Sequence, residues 1–127
     1  MTAALRVCID VSAAVHQRAG LGRYAHELVK GLMDLSLSDR VLAAEPRGGD
    51  AASEPLKITA FYHQRGQAVL LPPIDQLPTL TTRLSVRPWR LTTALAYFSG
   101  ISQDRLFANA DIFHATEHLL PRLRRTR

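Results

Sequence analysis

One cysteine stands among 127 residues, and its solitude excludes both an internal disulfide and a cysteine-rich zinc site. Cys8 lies in an apolar run, where a buried, inert thiol is expected. Lysine is almost as scarce, only Lys30 and Lys57 against an arginine-rich remainder, and this reads as genome composition rather than a binding device. No apolar run approaches the length of a membrane span. The start of the chain makes a poor signal peptide, because Asp10 interrupts the apolar stretch and only Arg6 precedes it. A cytoplasmic location is therefore expected. No segment repeats, and no serine has the G-x-S-x-G context of a nucleophile elbow.

What is present suits one globular domain over 1–127. The apolar fraction is 46% and the charged fraction 21%, values of a chain that buries a core. The net charge of +5 invites a nucleic-acid partner, but its distribution argues against one. Arg122, Arg124, Arg125 and Arg127 crowd the last six residues. Setting those four aside from the 16 basic residues leaves 12 against 11 acidic ones. The body is near neutral, and 122–127 is expected to be a flexible Arg-rich tail.

Leu5–Val11 is a short, mostly apolar run, as expected of a strand covered on both faces. Ser12–Ala19 reads as a loop. From Gly22, the residues Tyr24, Leu28, Leu32 and Leu35 recur at helical spacing, with Ala25 and Val29 widening the stripe. Arg40–Ala44 is a candidate second strand, and Glu45–Glu54 an exposed loop. Leu56–Tyr62 alternates like a strand. Gln67–Leu71 is a further apolar run, with Gln64–Gly66 as a candidate hairpin turn. Pro72, Pro73 and Pro78 then oppose regular structure. Pro88 suits a helix's first turn, and Leu91, Ala94, Leu95, Phe98 and Ile101 follow as an expected core stripe that Gly100 weakens or ends. Gln103–Ala108 suggests one more helical turn, and Asp111–Ala115 a strand.

Strands alternating with helices predict an α/β fold with a mainly parallel sheet and flanking helices. Ligands of such sheets gather at the carboxyl ends of the strands. The loops after Val11 and after Ala115 both fall on that edge, so Gly20–Arg23 and His114–His118 are expected to face one crevice.

Gly20-Leu21-Gly22-Arg23-Tyr24-Ala25 spells G-x-G-x-x-A, with Glu45 available as a ribose-binding acid. The dinucleotide fingerprint wants its first glycine directly after the strand, however, and here a loop intervenes. The alternatives are a loop that approaches a ligand's phosphates beside a helix N-terminus, or an ordinary glycine-bearing loop. His114-Ala-Thr-Glu117-His118 spells H-x-x-E-H. Zinc chemistry would need both histidines on one helical face and a third ligand. His114 ends a strand-like run instead, so no metal is expected. Arg83, Arg87 and Arg90 cluster around Trp89, either as a solvated face with an aromatic anchor or as contacts to an anionic acceptor or a membrane surface. His16 and His63 show no partners and are expected in loops or on the surface.

Arg6-Val-Cys-Ile-Asp10, Gly20-Leu-Gly-Arg-Tyr24 and Asp111-Ile-Phe-His-Ala-Thr-Glu-His-Leu-Leu-Pro121, in that order, resemble the N-terminal domain of family 4 (group 1) glycosyltransferases, retaining enzymes of the GT-B fold. The middle, from about Glu45 to Arg87, matches poorly. The resemblance implies a Rossmann-like, acceptor-side domain that faces a donor-binding domain across a cleft. It implies that Gly20, Leu21, Gly22 and Arg23 approach the donor diphosphate, and that His114, Thr116 and Glu117 line the cleft edge. The partners it implies are a nucleotide-sugar and a glycan or lipid-linked acceptor, with no resident cofactor. Apart from the resemblance, the Arg83, Arg87 and Arg90 cluster leaves peripheral membrane contact as an option.

The donor-side family motif E-x7-E does not occur, and the histidine that many relatives carry two residues after the first is replaced by Thr116. The expectation is an incomplete N-terminal half of a GT-B fold, from a truncated or split gene, inactive alone or completed by a second chain. The alternative is a stand-alone α/β module that binds a phosphorylated ligand or a partner without catalysis.

Overall fold

The computed structural model describes residues 4–44, 56–107, 110–117 and 120–126. Four parallel strands form one sheet in the order β3-β2-β1-β4, with β1 at Arg6–Asp10, β2 at Lys57–His63, β3 at Thr79–Thr82 and β4 at Ile112–His114. Helices α1 (Ser12–Val15), α2 (Ala19–Ala44) and α3 (Val86–Ser99) flank it, so the α/β class with an all-parallel sheet holds. β1 pairs on both sides: Cys8 lies opposite Thr59 on β2 and opposite Phe113 on β4.

Strand alternation sends Ile9 and Val11 to one face, where they pack with Ile58 and Ala60 against Val29 of α2. Cys8, Phe61 and Phe113 go to the other face and meet Trp89 and Phe107. Phe61 is the hub there, with ring centroids 5.0 Å from Phe107, 5.3 Å from Trp89 and 5.9 Å from Phe113. Burial on both faces explains why the strands read as apolar runs.

Several expectations are corrected. Arg40–Ala44 is no second strand; it continues α2, since no glycine or proline interrupts good helix formers after Gly31. Gln67–Leu71 forms no strand and Gln64–Gly66 no hairpin: β2 instead pairs in parallel with β3 beyond the prolines, His63 opposite Thr82. The expected α3 core stripe is reversed. Trp89, Thr93 and Ala96 are buried, while Leu91, Leu95 and Phe98 face outward, because the aromatic cluster around Phe61 takes up Trp89. The α2 stripe holds in its middle, where Ala25 and Val29 are buried and Leu28 and Leu32 pack against the core, while Tyr24 and Leu35 are exposed.

Gly100 ends α3 in the left-handed region at φ 74°, as a helix stop requires. The expected flexible tail is held over 122–126. The Gln103 amide donates to Arg122 O at 2.8 Å, and the Asp104 carboxylate accepts from the amides of Arg124, Arg125 and Thr126. Ser102 Oγ also donates to Asp104, and these bonds drive its carboxyl well below the usual range. Glu45–Glu54, His118 and Arg127 lie outside the described residues.

Candidate functional site

The carboxyl ends of β1, β2 and β4 converge on one knot. β1 ends in Asp10, whose buried carboxylate accepts the Ser12 amide at 2.9 Å. Burial raises the Asp10 pKa, opposed by the Ser12 bonds. Ser12 Oγ accepts the His63 amide of β2 at 3.2 Å, and Thr116, just beyond β4, donates its hydroxyl to Asp10 O at 2.7 Å.

Gly20, Leu21, Gly22 and Arg23 do not form the expected loop. α1 follows β1 almost at once, Gln17 turns the chain in the left-handed region at φ 54°, and α2 begins at Ala19. Both glycines therefore lie in the opening turns of a helix. Gly22 is buried, and a β-carbon on it would fall 2.9 Å from Ala13 O of α1, so its smallness lets the two helices touch. Gly20 is exposed, with nothing within 4 Å of the corresponding point. Gly22 N–H donates to Arg18 O at 2.6 Å, and the amides of residues 19–21 are those a helix start leaves without an intrahelical acceptor.

The start of α2 meets the segment after β4. Arg18 Nη1 lies 3.0 Å from Glu117 Oε1, an ion pair at contact distance but outside hydrogen-bonding geometry. The Tyr24 hydroxyl is 3.1 Å from His114 Nε2. Arg23 is exposed. Thus His114, Thr116 and Glu117 sit beside the opening of α2, with Thr116 turned toward Asp10 and the other two toward α2.

His63 is the residue that sequence reasoning missed. It is no surface side chain: it closes β2, is only 1% exposed, and stacks on Trp89 with centroids 5.7 Å apart and planes 22° apart. His16 Nε2 lies 3.0 Å from His63 O. Burial, with the charges of His16, Arg18 and Arg90, lowers the His63 pKa to about 4, so its ring is neutral at neutral pH. Its buried Nδ1 has no hydrogen-bond partner. The available signal was position, a histidine at the carboxyl end of an alternating run.

A cleft of about 300 Å³ opens beside this edge, between the α1–α2 turn and residues 69–74. Its walls are mainly apolar, with Gln17, Arg18, Arg23 and His26 as polar residues. Among the described residues no cluster of three or more histidine, cysteine, aspartate or glutamate side chains is arranged to hold a metal ion. No family model, curated protein or solved structure matches the chain.

Proposed function

We propose that this chain is the acceptor-side, Rossmann-like portion of a retaining glycosyltransferase of GT-B type, with the opening of α2 and the segment after β4 forming one lip of the cleft for a nucleotide-sugar. One observation carries the reading: Arg18 and Tyr24 meet Glu117 and His114 at the carboxyl edge of a parallel sheet. The free amides of 19–21 and the open space at Gly20 suit the close approach of a diphosphate. On this reading His114 and Glu117, beside that opening, face the acceptor. The 127 residues hold no E-x7-E pair, so the reading assigns no catalytic group to this chain and expects no sugar transfer by it unaided.

Amide chemical shifts of the chain, followed during titration with nucleoside diphosphates and nucleotide-sugars, test this. Changes gathered at 19–24 and 114–117 are expected, and inorganic diphosphate should reproduce part of them. No change with any of these compounds, or sugar transfer by the isolated chain, would overturn the proposal. The cleft bearing Arg18, Arg23 and His26 favours a second reading, a module for small phosphorylated ligands. That reading predicts equal responses to phosphorylated compounds without a nucleotide.

A further inference from the structure

The segment 67–71 has the pattern of a strand but belongs to no sheet. It holds no helix, turn or bridge, and its exposure alternates: Gln67, Val69 and Leu71 are exposed, while Ala68 and Leu70 are half-buried. Leu70 packs against the core that contains Ile74. Gly66, in the left-handed region at φ 100°, precedes the segment, and Pro72, which has no N–H, follows it. Val69 is 80% exposed and Leu71 65%.

Among the described residues, the N–H and C=O groups of Ala68, Val69 and Leu70 make no hydrogen bond. The neighbouring carbonyls are engaged locally: Gln67 O accepts from the Gln64 side-chain amide at 3.0 Å, and Leu71 O from the Ile74 amide at 2.9 Å. In extended backbone, alternate residues present their polar groups at opposite edges. Gln67, Val69 and Leu71 therefore share one edge. Ala68 and Leu70 share the other, which is wholly unpaired. An open edge of uncharged, β-prone residues is a template for strand addition.

Charge selects the strand that is added. No charged residue occurs from Gly66 to Ile74, but Arg65 precedes this stretch and Asp75 follows it. Both are exposed, and neither forms an ion pair among the described residues. A second copy of the segment, laid antiparallel, brings the Arg65 end of each chain beside the Asp75 end of the other. Two-fold symmetry makes that match twice. With Val69 opposite Val69 of the second copy, Ala68 and Leu70 exchange N–H···O bonds with Leu70 and Ala68 across the axis. The two Val69 side chains then meet, with Leu71 of each chain alongside.

We propose that residues 67–71 form an antiparallel, two-fold contact between two copies of this chain, centred on Val69. The contact is independent of what binds at the carboxyl edge of the sheet.

Sedimentation equilibrium of the purified chain over a range of concentrations, with amide exchange followed by NMR, tests the contact. A monomer–dimer equilibrium is expected. The amides of Ala68 and Leu70 should exchange more slowly as concentration rises, and that of Val69 should not. Val69→Lys sets like charges across the axis and removes apolar contact, and should weaken the dimer about tenfold or more. Ala68→Pro removes an N–H that no internal bond uses and adds no charge. It should weaken the dimer as well, and it serves in place of Val69→Lys should circular dichroism show that variant misfolded. Arg65→Asp should weaken association several-fold, and Arg65→Asp with Asp75→Arg should restore it. A monomer at every concentration up to the solubility limit would overturn the proposal. So would self-association that survives both Val69→Lys and Ala68→Pro, or that Phe98→Ser on α3 abolishes.

Discussion

Gly22 on α2 faces Ala13 O on α1 so closely that a β-carbon would lie 2.9 Å from it. That obstacle is backbone, which yields less readily than the end of a side chain. Gly22→Ala is expected to destabilise the fold by about 1–3 kcal/mol, the usual cost of overpacking, partly offset by alanine's better helix propensity. Gly20→Ala, in open space on the same helix, should be neutral or stabilising by up to about 1 kcal/mol. Urea midpoints of the two variants check this. The contrast separates a packing glycine from one tolerated for other reasons, and any loss of diphosphate response in a stable Gly20→Ala chain would bear directly on the proposed lip.

His63 makes stability depend on pH. Its folded pKa, about 4, lies below the ordinary histidine value of 6.5, so the unfolded chain binds the proton more readily. The stability it confers is complete above about pH 6.5 and drains away as pH falls through 4. Asp10 acts with the opposite sign, since burial raises its pKa and acidification relieves the cost. Denaturant midpoints of the parent and of His63→Gln, compared between pH 7 and 4.5, isolate the histidine. The parent's advantage should shrink as the pH falls.

Cys8 should be silent to thiol reagents in the folded protein. It is fully buried, and burial pushes its thiol up to about 12. Labelling should track unfolding and accelerate with denaturant. Because the folded pKa exceeds the unfolded one, stability is unaffected below about pH 9 and falls as the pH rises from there toward 12. A Cys8→Ala variant should lose this alkaline slope.

Asp104 anchors the Arg-rich segment. Asp104→Ala removes the acceptor for the amides of Arg124, Arg125 and Thr126. Trypsin should then cut faster at Arg122, Arg124 and Arg125 while the rest of the chain retains its cleavage pattern, as limited proteolysis with mass spectrometry would show.

The sequence by itself determined the class of fold. Short apolar runs such as Leu5–Val11, covered on both faces, and helical spacing after Gly22 and Pro88 are local signals, and local signals survive without knowledge of partners. The rule that parallel sheets collect ligands at their carboxyl edge also placed the Gly20 and His114 segments together, and Tyr24 meets His114 there. Only the tertiary structure decided which surfaces are inside. A period of 3.6 residues reveals that α3 has an apolar stripe, but Leu91, Leu95 and Phe98 lost the core to Trp89 because Phe61, 28 positions earlier in sequence, pairs with the tryptophan. Gly20–Arg23 read as loop because glycine opposes helix on average. Here the buried contact of Gly22 with Ala13 outweighs that preference. His63 carries no motif at all; its burial and lowered pKa arise from Trp89, His16, Arg18 and Arg90, which the sequence scatters and the sheet edge gathers.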